Sequence, residues 1–149
     1  MEDGIISTNG RIRRSTYLLR WACIKIPYWI ISAILIFSIF FGSLISIELD
    51  PSGTNFMMLM LFSCVYLVIY IIQLALLLPQ IAKRLHDMNK SGWLALIYFL
   101  SWIPYIGLIF GLIFFLILIT VDGTVGDNQY GEDPKQRVPY VYETNKMRD

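Results

Sequence analysis

Charge is absent from three long stretches of this chain, residues 26–47, 56–82 and 93–121, and that absence constrains the fold more than any other feature. The first stretch is 22 residues long; as a helix rising 1.5 Å per residue it measures roughly 33 Å, enough to cross a hydrocarbon core about 30 Å thick. The second holds 27 residues and the third 29. A hydrophobic content of 56% agrees with this, being above the range of soluble globular domains. The chain therefore reads as an all-α integral membrane protein of one domain. A formal net charge of +1 argues against a nucleic-acid partner, which calls for a large positive excess.

The charges that remain suggest an orientation. Residues 1–25 carry Arg11, Arg13, Arg14, Arg20 and Lys25 against Glu2 and Asp3, a basic N-terminal segment expected to be cytoplasmic. The first apolar run is longer than a signal-peptide core and no small-x-small cleavage site follows it, so it is expected to be retained. Residues 48–55 include Pro51, Gly53 and Asn55 and no basic residue, as suits a short outer loop. Lys83, Arg84 and Lys90 place the next connection inside, where the charged cluster is expected to return the chain to water. The third run is ambiguous. As one straight helix it would measure about 43 Å, longer than the core, and Pro104 and Gly107 lie near its middle. It is either a kinked span or a re-entrant hairpin breaking at 101–105. Length favours the span, because each hairpin arm falls short of a crossing. Lys135 and Arg137 favour the hairpin, because they would be inside only if the chain returned. The expected organisation is a basic segment at 1–25, a bundle of three transmembrane helices within 26–121, and a polar, turn-rich tail at 122–149.

Polar side chains within the runs are few and patterned. Ser63, Tyr66, Tyr70, Gln73 and Gln80 continue to Arg84 and Asp87 at three- and four-residue spacing, with Leu77 at the apolar step, and so share one helix stripe. An unpaired amide in hydrocarbon is costly, so the stripe should face other helices through hydrogen bonds or line a polar path. Ser38, Gly42 and Ser46, and likewise Gly107 and Gly111, form small-residue faces that let backbones approach closely, and they weakly suggest self-association. Cys23 and Cys64 lie at different depths and are expected to be unpaired, inert packing.

Chemistry-bearing residues gather at the inner end of the second run. A single histidine, His86, rules out a metal site needing two imidazoles, and no cofactor motif is present. Beside Asp87 it has the makings of a general acid or base, but no nucleophile accompanies it; a histidine that fixes the loop is the plainer alternative. Arg84 and Asp87 can pair across one helical turn, a pair worth little if exposed. Held at the headgroup level, Arg84 with Arg11, Arg13 and Arg14 would bind lipid phosphates bidentately, with Trp21 and Trp93 as interfacial anchors. In the tail, Gly123, Gly126, Asn128, Gly131 and Pro134 describe consecutive tight turns that could cap the bundle or cradle an anion, capping being favoured. The ending of a phosphate-binding P-loop is missing. The candidate ligand-binding residues are Arg11, Arg14, Arg84, His86, Asp87 and Asn128; none is assigned as catalytic or metal-binding.

Several of these motifs in order, Gly10-Arg11-x-x-Arg14-x-x-Tyr17, Pro79, Lys83-Arg84-Leu85-His86-Asp87, Ser91-Gly92-Trp93, a Pro-Tyr-Ile-Gly break, and Gly123-Thr124-x-Gly126-x-Asn128-x-Tyr130-Gly131-x-Asp133-Pro134, resemble the YhaH/YhaI-like bacterial inner-membrane family, a domain of unknown function numbered 805. The resemblance runs from about Gly10 to Pro134. It implies a small multi-pass protein of the bacterial inner membrane and brings no activity with it. The chain departs from the family pattern at Leu18, Lys83, Leu94, Asp127 and Gln129.

Three function classes follow. The favoured one is a structural, regulatory or binding protein whose inner face meets anionic lipid headgroups or a membrane partner, including a second copy of the chain. The second is a small transporter or channel using the polar stripe, disfavoured because no acidic residue lies within a span to bind a cation. The third is an enzyme acting on a lipid or phosphate through His86 and Asp87.

Overall fold

A computed structural model describes residues 4–49 and 54–136. Residues 50–53 of the expected outer loop and the tail after residue 136, with Arg137, lie outside the described residues. Among the described residues the regular elements are all helices: α1 (Arg14–Leu49), α2 (Thr54–Asp87), a 3-10 helix (Gly92–Trp102) and α3 (Ile106–Thr120). The first two are long and apolar enough to cross a membrane, over Arg14–Leu44 and Leu59–Asp87. α1 begins well before the apolar run, so Arg14, Arg20 and Lys25 are helical residues rather than part of an irregular flank.

The third run is not one helix. It breaks at Ile103, Pro104 and Tyr105 into the 3-10 helix and α3, which pack along each other. Tyr105 takes a positive φ of 65° at the turn, and the Gly107 N–H bonds the Ile103 carbonyl at 2.7 Å. Glycine is required at 107 because a Cβ there would lie 2.5 Å from the Ser101 carbonyl oxygen. Both ends of the run return to the last turns of α2. A Cβ on Gly92 would lie 2.7 Å from His86 Nε2, and Arg84 donates to the carbonyls of Leu118 and Val121. The run is thus a helical hairpin, and the length argument for a single kinked span is corrected: the proline has no N–H to continue the ladder and the glycine allows the arms to touch.

The chain divides into two compact units. One comprises Ala22–Leu76. Here Tyr28 of α1 faces Tyr66 and Tyr70 of α2, with ring centroids 6.3 and 6.2 Å away, and the hydroxyls of Tyr28 and Tyr66 are 2.7 Å apart. The Lys25 ammonium sits 5.5 Å from the Tyr28 ring centroid, within cation–π range. Ser63 is exposed and donates to the Met60 carbonyl of its own helix. Gln73 is only 3% exposed, and neither amide atom has a hydrogen-bond partner. Cys23 and Cys64 are free and exposed rather than packed inside. A Cβ at Gly42 would meet nothing within 4 Å, so no neighbour requires glycine there; the Ser46 side chain lies outside the described residues.

The other unit comprises Met1–Trp21 and Leu77–Asp149. All the buried apolar residues among those described fall here: Ile12, Tyr17, Leu77, Ile81, Ala82, Leu85, Ala95 and Leu118. Residues 80–87 are covered on almost every side, because the N-terminal segment, the feet of the hairpin and the tail converge on them. The expectation that this charged cluster returns the chain to water is met in the turn after α2, where Asn89, Lys90 and Ser91 are exposed, and is corrected for Lys83, Arg84 and Asp87, which are buried. Asp87 pairs with Arg84 in the same helix and with Arg11 of the N-terminal segment.

Candidate functional site

The last two turns of α2 present Gln80, Lys83, Arg84 and Asp87 at three- and four-residue spacing, one ridge of the helix. Gln80 and Lys83 reach the N-terminal segment, Arg84 reaches the end of α3, and Asp87 meets Arg11. The Gln80 amide donates to the Ile5 carbonyl at 2.5 Å and accepts from Arg20 at 3.0 Å. Lys83 donates to the Gly4 carbonyl at 2.9 Å. These bonds lay the N-terminal segment along α2 and deliver Arg11 to Asp87.

Asp87 is the centre. Its Oδ1 accepts from Arg11 Nε at 3.3 Å and Nη2 at 3.2 Å, while Oδ2 accepts from Arg84. The remaining Arg11 donors go to the carbonyls of Thr124 at 2.7 Å, Gly126 at 2.8 Å and Gly131 at 3.2 Å. All five guanidinium N–H groups are then used, so Arg11 has none left for a ligand. Arg84 spends Nε on the Leu118 carbonyl at 2.7 Å and Nη2 on Val121. It caps the C-terminus of α3, where unsatisfied carbonyls attract a cation. Asp133, as buried as Asp87, lies 4.0 Å from Arg11. Two arginines and two aspartates therefore form a buried knot with no net charge, which offsets the cost of taking each ion out of water.

The tail motif completes the knot. The backbone N–H of Thr124 bonds the Asp87 carbonyl at 2.8 Å, and the Asn128 amide donates to the His86 carbonyl at 3.0 Å. Gly126 and Gly131 adopt positive φ, 77° and 130°. Gly123 is needed for closeness, since a Cβ would lie 2.0 Å from Asp87 Oδ2. Asn128 and Gly131 exchange backbone bonds of 3.1 and 3.0 Å, closing a turn that brings Tyr130 flat against His86 with 3.9 Å between ring centroids. The Nδ1 atom of His86 is buried without a hydrogen-bond partner.

Of the expected site residues, Arg11, Arg84, His86, Asp87 and Asn128 are brought together, and Arg14 stands at the edge. Arg14 donates to the Thr120 carbonyl at 2.9 Å and pairs with Asp122 at 2.8 Å; Lys135 reaches the same carboxylate at 3.2 Å. Arg13 donates to the carbonyl of Pro134. Of the two alternatives for the Arg84–Asp87 pair, exposed or held by its surroundings, the structure has the second, with both side chains buried. Trp93 is 80% exposed, whereas Trp21 packs at a tilt against Phe115 with 4.5 Å between ring centroids. Sequence reasoning missed Asp133 as the second buried acid and Lys83 as a tether for the N-terminus. Asp133 carried a signal, being the acid directly before Pro134 in the glycine-rich turns. The stripe residues Ser63, Tyr66, Tyr70 and Gln73 belong to the other unit and take no part in the knot.

No group of three or more metal-ligating side chains occurs among the described residues. No solved structure matches the chain. It is 45% identical over 65 residues to inner membrane protein YhaI of Escherichia coli strain K12, covering 42% of this chain and 49% of that protein. Over 56 residues it is 41% identical to inner membrane protein YhaH of the same strain, covering 36% of this chain and 38% of that one. The matched segments thus span half or less of these relatives. The family described as protein of unknown function DUF805 matches residues 5–132, taking in the N-terminal segment, both long helices, the hairpin and the tail turns that meet at Asp87; the chain belongs to that family.

Proposed function

We propose that this chain is a binding protein of the bacterial inner membrane, with its N-terminus and tail cytoplasmic, that holds anionic lipid headgroups at the rim of the Asp87 knot. The observation that carries this reading is the division of charge around Asp87. Inside, the arginines and aspartates balance. At the rim, Arg14 and Lys135 share the single carboxylate of Asp122, and Arg13 rests on the neutral Pro134 carbonyl, which gathers three cations around one acid beside the foot of α3. Each such residue near an anionic surface contributes about 1 kcal/mol. The names of the relatives and the two long apolar helices support the membrane assignment. Against catalysis by His86 and Asp87, both carboxylate oxygens already accept from guanidinium groups.

Native mass spectrometry in detergent with cardiolipin or phosphatidylglycerol tests the reading. The Arg13→Ala/Arg14→Ala protein is expected to lose most anionic-lipid adducts while keeping zwitterionic ones. Equal retention in both proteins defeats headgroup binding at the rim.

A second reading, a polar path through the membrane, is favoured by Gln73, whose buried amide has no hydrogen-bond partner. Flux of small polar solutes into proteoliposomes that disappears with Gln73→Leu supports it, and absence of flux in the unaltered protein removes it.

A further inference from the structure

The hairpin after α2 has arms that differ in residue number but match in length. The 3-10 helix Gly92–Trp102 has 11 residues and α3 has 15. At rises of about 2.0 and 1.5 Å per residue, each arm spans roughly 22 Å. A hydrocarbon core is about 30 Å thick, so neither arm crosses it.

The direction of the hairpin follows from two contacts with the beginning of α1. Arg14 holds the Thr120 carbonyl at the end of α3, and two turns further along the same face of α1 the Trp21 ring meets Phe115, 4.5 Å between centroids. Going up α1 from Arg14 to Trp21 therefore corresponds to going back along α3 from its foot toward its tip. The hairpin points the way the first two turns of α1 point, from Arg14 toward Trp21. Its outer surface suits acyl chains: Ile106, Leu108, Ile109, Leu112 and Ile113 are all exposed, and no charged residue lies between Gly92 and Val121. Trp93, 80% exposed, stands at the foot where an interfacial indole belongs. At the tip, Tyr105 is 94% exposed.

We infer that the segment Gly92–Thr120 is a re-entrant hairpin, which enters the bilayer from the side of the Asp87 knot, lies against acyl chains and turns back inside the hydrocarbon with Tyr105 directed at the far headgroups. The shortfall of about 8 Å between arm and core is small enough for an amphipathic side chain to narrow, the phenol lying in hydrocarbon while its hydroxyl seeks the interface. The tip thereby makes the hairpin sensitive to bilayer thickness. The knot is what permits this topology, because Arg84 and Arg14 satisfy the carbonyls at the foot of α3 where the chain must re-emerge beside its entry point. This inference rests on the membrane assignment and is independent of headgroup binding at the rim.

The test uses full-length protein with Cys23 and Cys64 replaced by serine, carrying one of Asn128→Cys, Tyr105→Cys or Ile103→Cys. Ile103→Cys probes the tip with Tyr105 retained. In intact cells an impermeant thiol reagent is expected to label none of them, and in opened cells Asn128→Cys alone. In reconstituted bilayers, spin labels at 103 and 105 are expected to show high oxygen and low nickel-chelate accessibility at a depth beyond the midplane, and to become more deeply buried in longer-chain lipids. Labelling of Asn128→Cys in intact cells means that the run crosses the membrane, and overturns the proposal. Tip labels at the depth of the knot-side headgroups mean that the hairpin lies on the surface, and overturn it equally.

Discussion

Replacing Asp87 by asparagine keeps its size and removes its charge from a site where it balances two guanidinium groups. The Asp87 side chain is 6% exposed, and those of Arg11 and Arg84 are 1% and 0% exposed. None of the three can be rehydrated without opening the unit. Removing one partner from a buried ion pair typically costs about 3–5 kcal/mol, because the other charge is left uncompensated. Here both arginines are affected, but each keeps its carbonyl acceptors, so the middle of that range is expected. For a chain of this size that corresponds to a fall of roughly 10 °C in Tm. Thermal unfolding in detergent micelles, followed by tryptophan fluorescence and by size-exclusion recovery after heating, measures it. The accompanying Asp87→Asn/Arg11→Gln double variant restores equal numbers of buried charges, and its loss is expected to be smaller than the sum of the two single losses by about 1–2 kcal/mol. A Tm for Asp87→Asn within 2 °C of the parent, or strict additivity in the double variant, would refute the view that the knot is held together by charge balance.

Gly107→Val is expected to prise the hairpin arms apart, since its Cβ meets backbone of Ser101 and Leu100 that cannot rotate away; a lower Tm and new protease cleavage within 100–107 check this, while Gly42→Val serves as the unaffected control. Tyr28→Phe removes the hydroxyl pair with Tyr66 and leaves the ring contacts, so a modest loss of about 0.5–1.5 kcal/mol is expected by the same unfolding assay; no loss would show that the pair contributes nothing.

Periodicity and charge spacing were sufficient to place two long apolar helices, and the stripe from Gln80 to Asp87 identified the ridge on which the chain is assembled. Such features are local: a helix of fixed rise and period carries them wherever its neighbours are. The tail could likewise be read as turns, because Gly126 and Gly131 need conformations that other residues resist. What residue types could not reveal is who answers each charge. Arg11 and Asp87 are far apart in sequence, and the arginine's other acceptors are main-chain carbonyls, which have no signature in a sequence. The same holds for the third apolar run. Its length suited a single span, and the choice of a hairpin was decided by Arg14, Arg84 and Gly107 acting across the fold. From the sequence alone came the presence of long apolar helices and the residue types at their ends. Only the tertiary structure decided that the ends meet, because pairing of buried charges with distant carbonyls is settled by which segments arrive together.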